Sequence, residues 1–167
     1  MLARVQQVAE RTWPQGLGCS VRARTVAVDE EVARKVGALL QELGWQGLSE
    51  LQFLVPDGGE PQLIDFNGRF YGSMSLAIGA GVNLPDVWAR SVTGRDTPEP
   101  RDAAPGVRYQ WLEGDLRAAR EDSRGPLRDL FDCLRYAAGA RHSVSSLRDP
   151  GPFVYAFRAL LAERRGS

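Results

Sequence analysis

Hydrophobic and polar residues recur with the two-residue period of a strand in some segments and with the 3.6-residue period of a helix in others. Residues 21–28 alternate between two sets, which predicts a strand. Apolar residues then recur at helical spacing between Asp29, a residue type that caps helix N-termini, and Gly44, a residue type that ends helices. We therefore expect a strand followed by an amphipathic helix.

The rest of the chain continues this mixture. The predicted elements are a β-hairpin over 47–67, two short helices between 72 and 94 that break at 79–81, a Pro-rich polar loop over 93–106, a strand over 107–112, helical segments near 113–121 and 126–138, and an amphipathic helix over 152–165. The predicted fold class is α+β, with an antiparallel sheet packed by helices and followed by a short helical tail.

Composition narrows the class of protein. The chain has 167 residues, of which 43% are hydrophobic and 25% charged, enough for a domain with its own core. The chain has 21 Lys and Arg residues and 21 Asp and Glu residues. This balance of charge argues against a nucleic-acid binder, which usually has a basic face. Cys19 and Cys133 have no metal-ligand spacing and are expected to be free thiols. Without a signal peptide or a membrane-spanning apolar run, a soluble cytoplasmic protein that binds no membrane is expected.

The segment LIDFNGRFYGS, residues 63–73, carries unusual polar residues at the end of an apolar strand. Asp65, Asn67 and Arg69 occupy every second position, so in an extended chain their side chains project to the same side. A carboxylate, a carboxamide and a guanidinium side by side indicate a site for a charged ligand.

Hairpin register extends this set to the neighbouring strand. If the hairpin closes symmetrically on Gly58–Gly59, Gln52 lies opposite Asp65 and Glu50 lies opposite Asn67. Opposed residues share a face, so the four polar side chains are predicted to lie together. The other face, which we expect to be buried, carries Leu51, Phe53, Val55, Ile64 and Phe66.

Two interpretations of this polar face are open. A half-buried antiparallel sheet always has a polar face, and this hairpin has one in either case. Alternatively, the oxygen-bearing side chains suit Mg²⁺, which uses a few protein oxygens together with phosphates and water. Arg69 suits phosphate because its planar fork donates two hydrogen bonds at once.

Several segments, in order, resemble a known family. The run GWQGLSELQFLV…GEPQLIDFNGRFYGSMSLAIGAGVNLPDVWARSVTG resembles the closing part of the ATP-grasp fold, in the branch of carboxylate–amine ligases related to carbamoyl-phosphate synthetase. RTWPQGLGCSVRARTV upstream and GVRYQWLEGDL downstream resemble further family segments. The resemblance covers most of residues 11–116.

The resemblance implies a C-terminal ATP-grasp subdomain that uses Mg²⁺ and ATP. Such ligases activate a small carboxylate as an acylphosphate, which an amine then attacks. Glu50 would orient Arg69 or another group. The other residues would act as metal and cofactor ligands (Gln52, Asp65, Asn67), as the group that neutralises the transferring phosphate (Arg69), and as carboxylate-binding residues (Gly18, Ser20, Ser73).

The chain also departs from the family pattern. Asp65 stands where Glu is commoner, Gly68 stands where Pro is usual, and Gly16-Leu17-Gly18 replaces a Gly-Gly pair. Asp is one methylene shorter than Glu, and Gly in place of Pro loosens the turn before Arg69. These changes leave room for weakened chemistry.

Domain organisation follows from the same resemblance. We expect residues 1–96 to form the C-terminal part of an ATP-grasp domain, 97–106 a loop, and 107–167 an extension packed on the same domain. Lys35 is the one lysine, and nothing resembles the family's nucleotide-binding first half. An N-terminal ATP-grasp half or a partner chain is therefore expected to complete the site.

Two rival hypotheses remain. The chain is alternatively a non-catalytic ATP-grasp remnant that binds a partner, such as a second copy in a homodimer. An unrelated α+β domain would require Gln52 and Asp65 to be on opposite faces or out of register. Outside the hairpin, His142 is expected on the surface or in a loop, and Asp132-Cys133 in the packed core.

Overall fold

A computed structural model gives the chain an α+β fold, which confirms the predicted class, and describes residues 1–16, 18–122, 125–143, 149–152, 154–155 and 158. The fold divides into two compact units. The first consists of Met1–Gln6 and Thr25–Pro105, and the second of Gln7–Arg24 and the described residues from Gly106 onward. The domain boundaries expected from the sequence stay a prediction.

Eight strands and five helices lie along the described chain. In order they are β1 (Ala3–Arg4), β2 (Gln6–Trp13), β3 (Cys19–Val26), α1 (Glu30–Glu42), β4 (Glu50–Leu54), β5 (Gln62–Asn67), α2 (Met74–Gly79), α3 (Leu84–Val92), β6 (Arg101–Asp102), β7 (Arg108–Gln110), α4 (Leu112–Asp122), α5 (Pro126–Ala137) and β8 (Ala140–His142). Among the described residues, none of the helices is long and apolar enough to cross a membrane.

Most of the predicted elements are confirmed. The strand near residue 21, the hairpin, the paired helices α2 and α3, the strand β7 and the helices α4 and α5 lie where the pattern places them. Strand β2 was not predicted, and within the Pro-rich loop β6 pairs with β1 in parallel. His142, expected on the surface or in a loop, lies half-buried in β8. The helix expected over 152–165 falls largely outside the described residues.

Helix α1 in the first unit shows how the sequence sets its ends. The Asp29 carboxylate accepts two backbone N–H groups of the first turn, at 2.9 and 3.1 Å. At the other end Gly44 takes a left-handed conformation with φ of 62°. The N–H of Gly44 bonds to Gln41 O and that of Trp45 to Leu40 O. This pair of bonds is a Schellman motif, which fixes the direction in which the chain leaves the helix.

The second unit contains a four-stranded sheet in the order β2-β3-β7-β8. Strands β3 and β7 are antiparallel, whereas β7 and β8 are parallel. Helix α4 packs closely on this sheet, since a Cβ at Gly114 would lie 2.7 Å from the Val21 side chain. The buried residues of this unit include Val21, Ala23, Tyr109, Ala118, Ala119 and Cys133.

A buried ionic network joins the strands and helices of the second unit. Asp115, with no exposed surface, accepts hydrogen bonds from Arg22 Nε at 2.7 and 2.8 Å, Arg11 Nη1 at 2.9 Å and Gln110 Nε2 at 2.6 Å. Arg22 Nη2 also donates to Asp132 at 2.7 Å. Burial alone lowers the pKa of Arg22, but its hydrogen bonds to the two carboxylates outweigh this effect and raise it. The guanidinium therefore stays charged inside the unit.

Cys133 confirms the expectation of a core position and a free thiol. It is fully buried beside this network, and Cys19 is a free, exposed thiol. Burial, reinforced by the nearby Asp115 charge, raises the pKa of the Cys133 thiol to about 11. Its neighbour Asp132 is instead partly exposed and ion-paired with Arg22. Cys133 is therefore protonated near neutral pH and unreactive in the folded protein.

Helix α5 has one buried face and one exposed apolar face. Asp129 and Cys133 point inward. The opposite face carries four large apolar residues at helical spacing, each between 44 and 82% exposed: Leu127, Leu130, Phe131 and Leu134. We call this surface the α5 stripe.

Asp115→Ala is expected to destabilise the protein by about 3–5 kcal/mol, because it leaves the buried guanidinium of Arg22 and the half-buried one of Arg11 without their shared carboxylate. Urea unfolding followed by the reactivity of the Cys133 thiol would measure the loss. Arg24→Ala is the control, since Arg24 pairs with Glu10 while half exposed, and should cost about 1 kcal/mol or less. Equal effects of the two substitutions would contradict the central place of Asp115 in the buried network.

Candidate metal and phosphate site

The hairpin of the first unit has the predicted register over its base. Glu50 pairs with Asn67 and Gln52 with Asp65, in an antiparallel ladder. The four polar side chains therefore share one face. This pairing removes the basis for the rival hypothesis that required Gln52 and Asp65 to be out of register.

Toward its tip the hairpin differs from symmetric closure. A turn closes from Gly59 N to Pro56 O and is centred on Asp57–Gly58, one residue earlier than predicted. The register shifts after Gln52, so Phe53 pairs with Leu63 instead of Ile64. This irregularity absorbs the offset between the turn and the base of the hairpin.

The second face of the hairpin is only partly covered. Leu51, Phe53 and Phe66 are half-buried, whereas Val55 and Ile64 are each more than 60% exposed. The expectation that all five would be buried was wrong for these two. Ile64 is the unpaired residue at the register shift, and Val55 follows the end of β4, so neither keeps the place that the symmetric pattern gives it.

The polar face is connected by the two carboxamides. Asn67 Nδ2 donates to Asp65 Oδ2 at 2.6 Å and to Glu50 Oε2 at 3.4 Å. Gln52 Nε2 donates to the same Glu50 oxygen at 3.3 Å. Two carboxylates thus converge on one amide nitrogen, which lies between them.

This donor set fits a hard divalent cation. Both carboxylates direct an oxygen at the volume next to the Asn67 amide, and rotation of either amide would add a carbonyl oxygen. No group of three or more acidic, His or Cys side chains suited to a metal occurs among the described residues. Two carboxylates with amide oxygens match Mg²⁺, which takes few protein ligands and keeps water or phosphate for the rest.

Arg69 follows the polar face along the chain. It is exposed, and Nη1 donates to the neighbouring Phe70 O at 3.1 Å. Among the described residues it forms no ion pair. Glu50, expected to orient Arg69 or another group, contacts Gln52 and Asn67. Arg69 is therefore available to an anionic ligand.

Gly68, between Asn67 and Arg69, is covered by an indole ring. A Cβ at this position would lie 2.6 Å from Cζ2 of Trp45 and closer still to its Cη2. Trp45 also packs edge-to-face on Phe66, with ring centroids 5.2 Å apart. The departure from proline at this position thus has a steric cause, since no larger residue fits under the ring.

The expected carboxylate-binding residues are divided between the two units. Gly18 and Ser20 belong to the second unit, and Ser73 to the first, where it is buried at the start of the six-residue helix α2. Gly18 has a structural reason, because a Cβ there would overlap the backbone carbonyl of Trp13. Substrate binding by these three residues stays a prediction.

A family model matches residues 6–115, about two thirds of the chain, under the description ATP-grasp in the biosynthetic pathway with Ter operon. The chain belongs to the ATP-grasp family. Comparison with curated proteins and with solved structures gave no match. The matched range includes the whole polar hairpin and ends at the buried Asp115.

Sequence reasoning missed three contributors to the structure of this ATP-grasp chain. Trp45 is one of four tryptophans scattered along the sequence, yet it packs on the site segment. Tyr71 is half-buried, and desolvation together with the Glu50 charge raises its pKa. The Asp115 network was missed because its members are distant in sequence, with Arg22 and Asp115 93 residues apart. Gly44 was a clue to the contacts of Trp45, since a Schellman motif at this glycine fixes the direction in which the next residue leaves the helix.

Asn67→Asp is expected to place a third carboxylate in the polar face of the ATP-grasp hairpin. Without Mg²⁺ it should lower stability by an amount on the order of 1 kcal/mol, through repulsion between neighbouring charges. Thermal unfolding at low ionic strength would show the loss, and added Mg²⁺ should recover it. Gln62→Glu, on the exposed outer part of β5, is the control and should show neither effect. A variant insensitive to Mg²⁺ would contradict the convergence of these carboxylates.

Proposed function

We propose that the chain supplies the Mg²⁺- and phosphate-binding hairpin of an ATP-dependent carboxylate–amine ligase. The observation that carries the proposal is the hairpin register, which gathers Gln52, Asp65 and Asn67 on one face. Arg69 follows directly and has no carboxylate partner among the described residues. Family membership supports ATP as the nucleotide.

Each residue has a distinct role in this proposal. Asp65 and Asn67, with Gln52 across the ladder, hold Mg²⁺, and Glu50 adds negative charge beside them. The bound ion neutralises phosphate charge during transfer. Arg69 donates hydrogen bonds to oxygens of the transferring phosphoryl group and fixes its orientation. Phosphoryl transfer needs little more than such positioning and charge neutralisation.

The proposed reaction has two steps. A carboxylate oxygen of the substrate attacks the γ-phosphorus, the bond to ADP breaks, and an acylphosphate forms. An amine then attacks the acyl carbon, phosphate leaves with the bonding electron pair, and the amine proton passes to solvent. Arg69 keeps the acylphosphate in place between the steps.

The remaining contacts to ATP come, in this proposal, from an N-terminal ATP-grasp half or a partner chain. Lys35, the single lysine, supports this division because it is bound to Glu31 and to Glu60, each at 2.9 Å. Those two ion pairs occupy the one lysine ammonium group that this chain has for phosphate.

Calorimetric titration with Mg·ATP tests the proposal. We expect measurable binding that weakens about tenfold or more in Asp65→Ala, which removes a carboxylate from the metal site. Asp57→Ala is the matched control, because Asp57 lies in the turn at the hairpin tip. Binding that survives in Asp65→Ala, or no binding in the wild type, would overturn the proposed site.

The α5 stripe favours a second candidate function, that of an interaction module. Four exposed apolar residues along one face of a helix are unusual when that face contacts only water. A second copy of the chain is the occupant in this candidate, because one stripe is self-complementary to another across a twofold axis.

Sedimentation equilibrium at micromolar concentrations tests this candidate. If the stripe forms a homodimer, Phe131→Glu should make the protein monomeric, because it buries a charge at the centre of the contact. Leu54→Glu, at a similarly exposed position in the first unit, should leave the dimer intact. A monomeric wild type would exclude the candidate.

A further inference from the structure

Glycine is required at position 68 because of the atoms around it, and not because of its backbone conformation. It is absent from the glycines with positive φ, so its conformation is open to any residue. The obstacle is the indole of Trp45, within 2.6 Å of where a Cβ would lie. Ring and backbone are thus in direct contact at the one residue that links Asn67 to Arg69.

Trp45 makes a second contact on the same segment. Its ring meets Phe66 edge-to-face, at an interplanar angle of 89° and a centroid distance of 5.2 Å. Phe66 lies between Asp65 and Asn67 and projects to the opposite face of the strand. The indole therefore touches the residues before and after Asn67, from the side away from the polar face.

The position of Trp45 is itself fixed by helix α1. Its N–H completes the Schellman motif by bonding to Leu40 O at 2.9 Å, next to the left-handed Gly44. The backbone of Trp45 is consequently fixed to a 13-residue helix, whereas β4 and β5 form a sheet of only two strands among the described residues. A two-stranded hairpin is marginally stable by itself, so the helix is the stiffer support.

We propose that Trp45 is a positioning residue, which holds the Asp65–Arg69 segment so that its ligand side chains meet Mg²⁺ and phosphate together. The inference rests on the proposed function. Strand β5 ends at Asn67, and beyond it the glycine imposes no restriction of its own on the chain. Contact with the Trp45 indole restricts the backbone of this segment, as a bulkier residue at position 68 would otherwise do.

The test measures Mn²⁺ binding in the presence of ATP by electron paramagnetic resonance, with Mn²⁺ as the probe for Mg²⁺. Trp45→Ala should weaken binding about tenfold or more, as removal of a supporting residue around a metal site does. Trp45→Phe, which keeps an aromatic ring, should remain within about threefold of wild type. Trp88→Ala is the matched control: Trp88 is equally exposed and packs edge-to-face on Phe70, without contact to Gly68.

A second substitution separates positioning from loss of folding. Gly68→Ala should also weaken Mn²⁺ binding, because the added methyl group displaces the ring. In the Trp45→Ala background the same change should cost nothing further, so the two effects should be strongly non-additive. Circular dichroism confirms that each variant is folded.

The outcomes are distinguishable. Wild-type affinity in Trp45→Ala, or additive effects of the two substitutions, would overturn the role of Trp45 while leaving the metal site intact. Mn²⁺ binding that is absent from the wild type would overturn the proposed function, and the positioning role with it. Loss in Trp45→Ala with retention in Trp45→Phe and Trp88→Ala would establish the inference.

Discussion

Antiparallel pairing at the base of the β4–β5 hairpin is the constraint on which the candidate site depends. Because side chains alternate between faces, a shift of one residue would send Asp65 and Asn67 to the side opposite Gln52 and Glu50. The ladder instead pairs Gln52 with Asp65, and the irregularity in the hairpin lies beyond this pair, toward the tip. The turn can therefore vary in geometry without changing the face on which the polar groups meet.

The candidate site is also contacted from its apolar side, through a series of mostly local interactions. Gly44 ends helix α1 in a Schellman motif, the motif sets the direction of Trp45, and Trp45 covers Gly68. Each step involves residues close in sequence except the last, which joins the helix to the hairpin. Trp45 supplies no ligand group of its own, and in the proposed positioning role it is coupled to the segment that carries Arg69.

Some elements of the fold could be predicted from the sequence and others could not, and the difference has a physical reason. The ends of α1, the hairpin register and the helices α2 to α5 followed from capping residues and periodicity, which act over a few residues. Strand β2 and the β1–β6 pair were missed, because short strands depend on partners distant in sequence. The burial of Arg22 was not predicted, for the same reason. Its burial is favourable only because Asp115, 93 residues later, accepts its hydrogen bonds.

Charge balance separates the structural carboxylates of this protein from the candidate ligands. Asp115 is buried, and two guanidinium groups and an amide saturate its oxygens, so it has nothing left to offer a cation. Glu50 and Asp65 receive only amide N–H groups and form no ion pair among the described residues. Two carboxylates directed at one amide, without a neutralising cation, repel each other. A divalent ion would remove that repulsion, and for this reason the proposed function places the metal at the hairpin and not at the buried network.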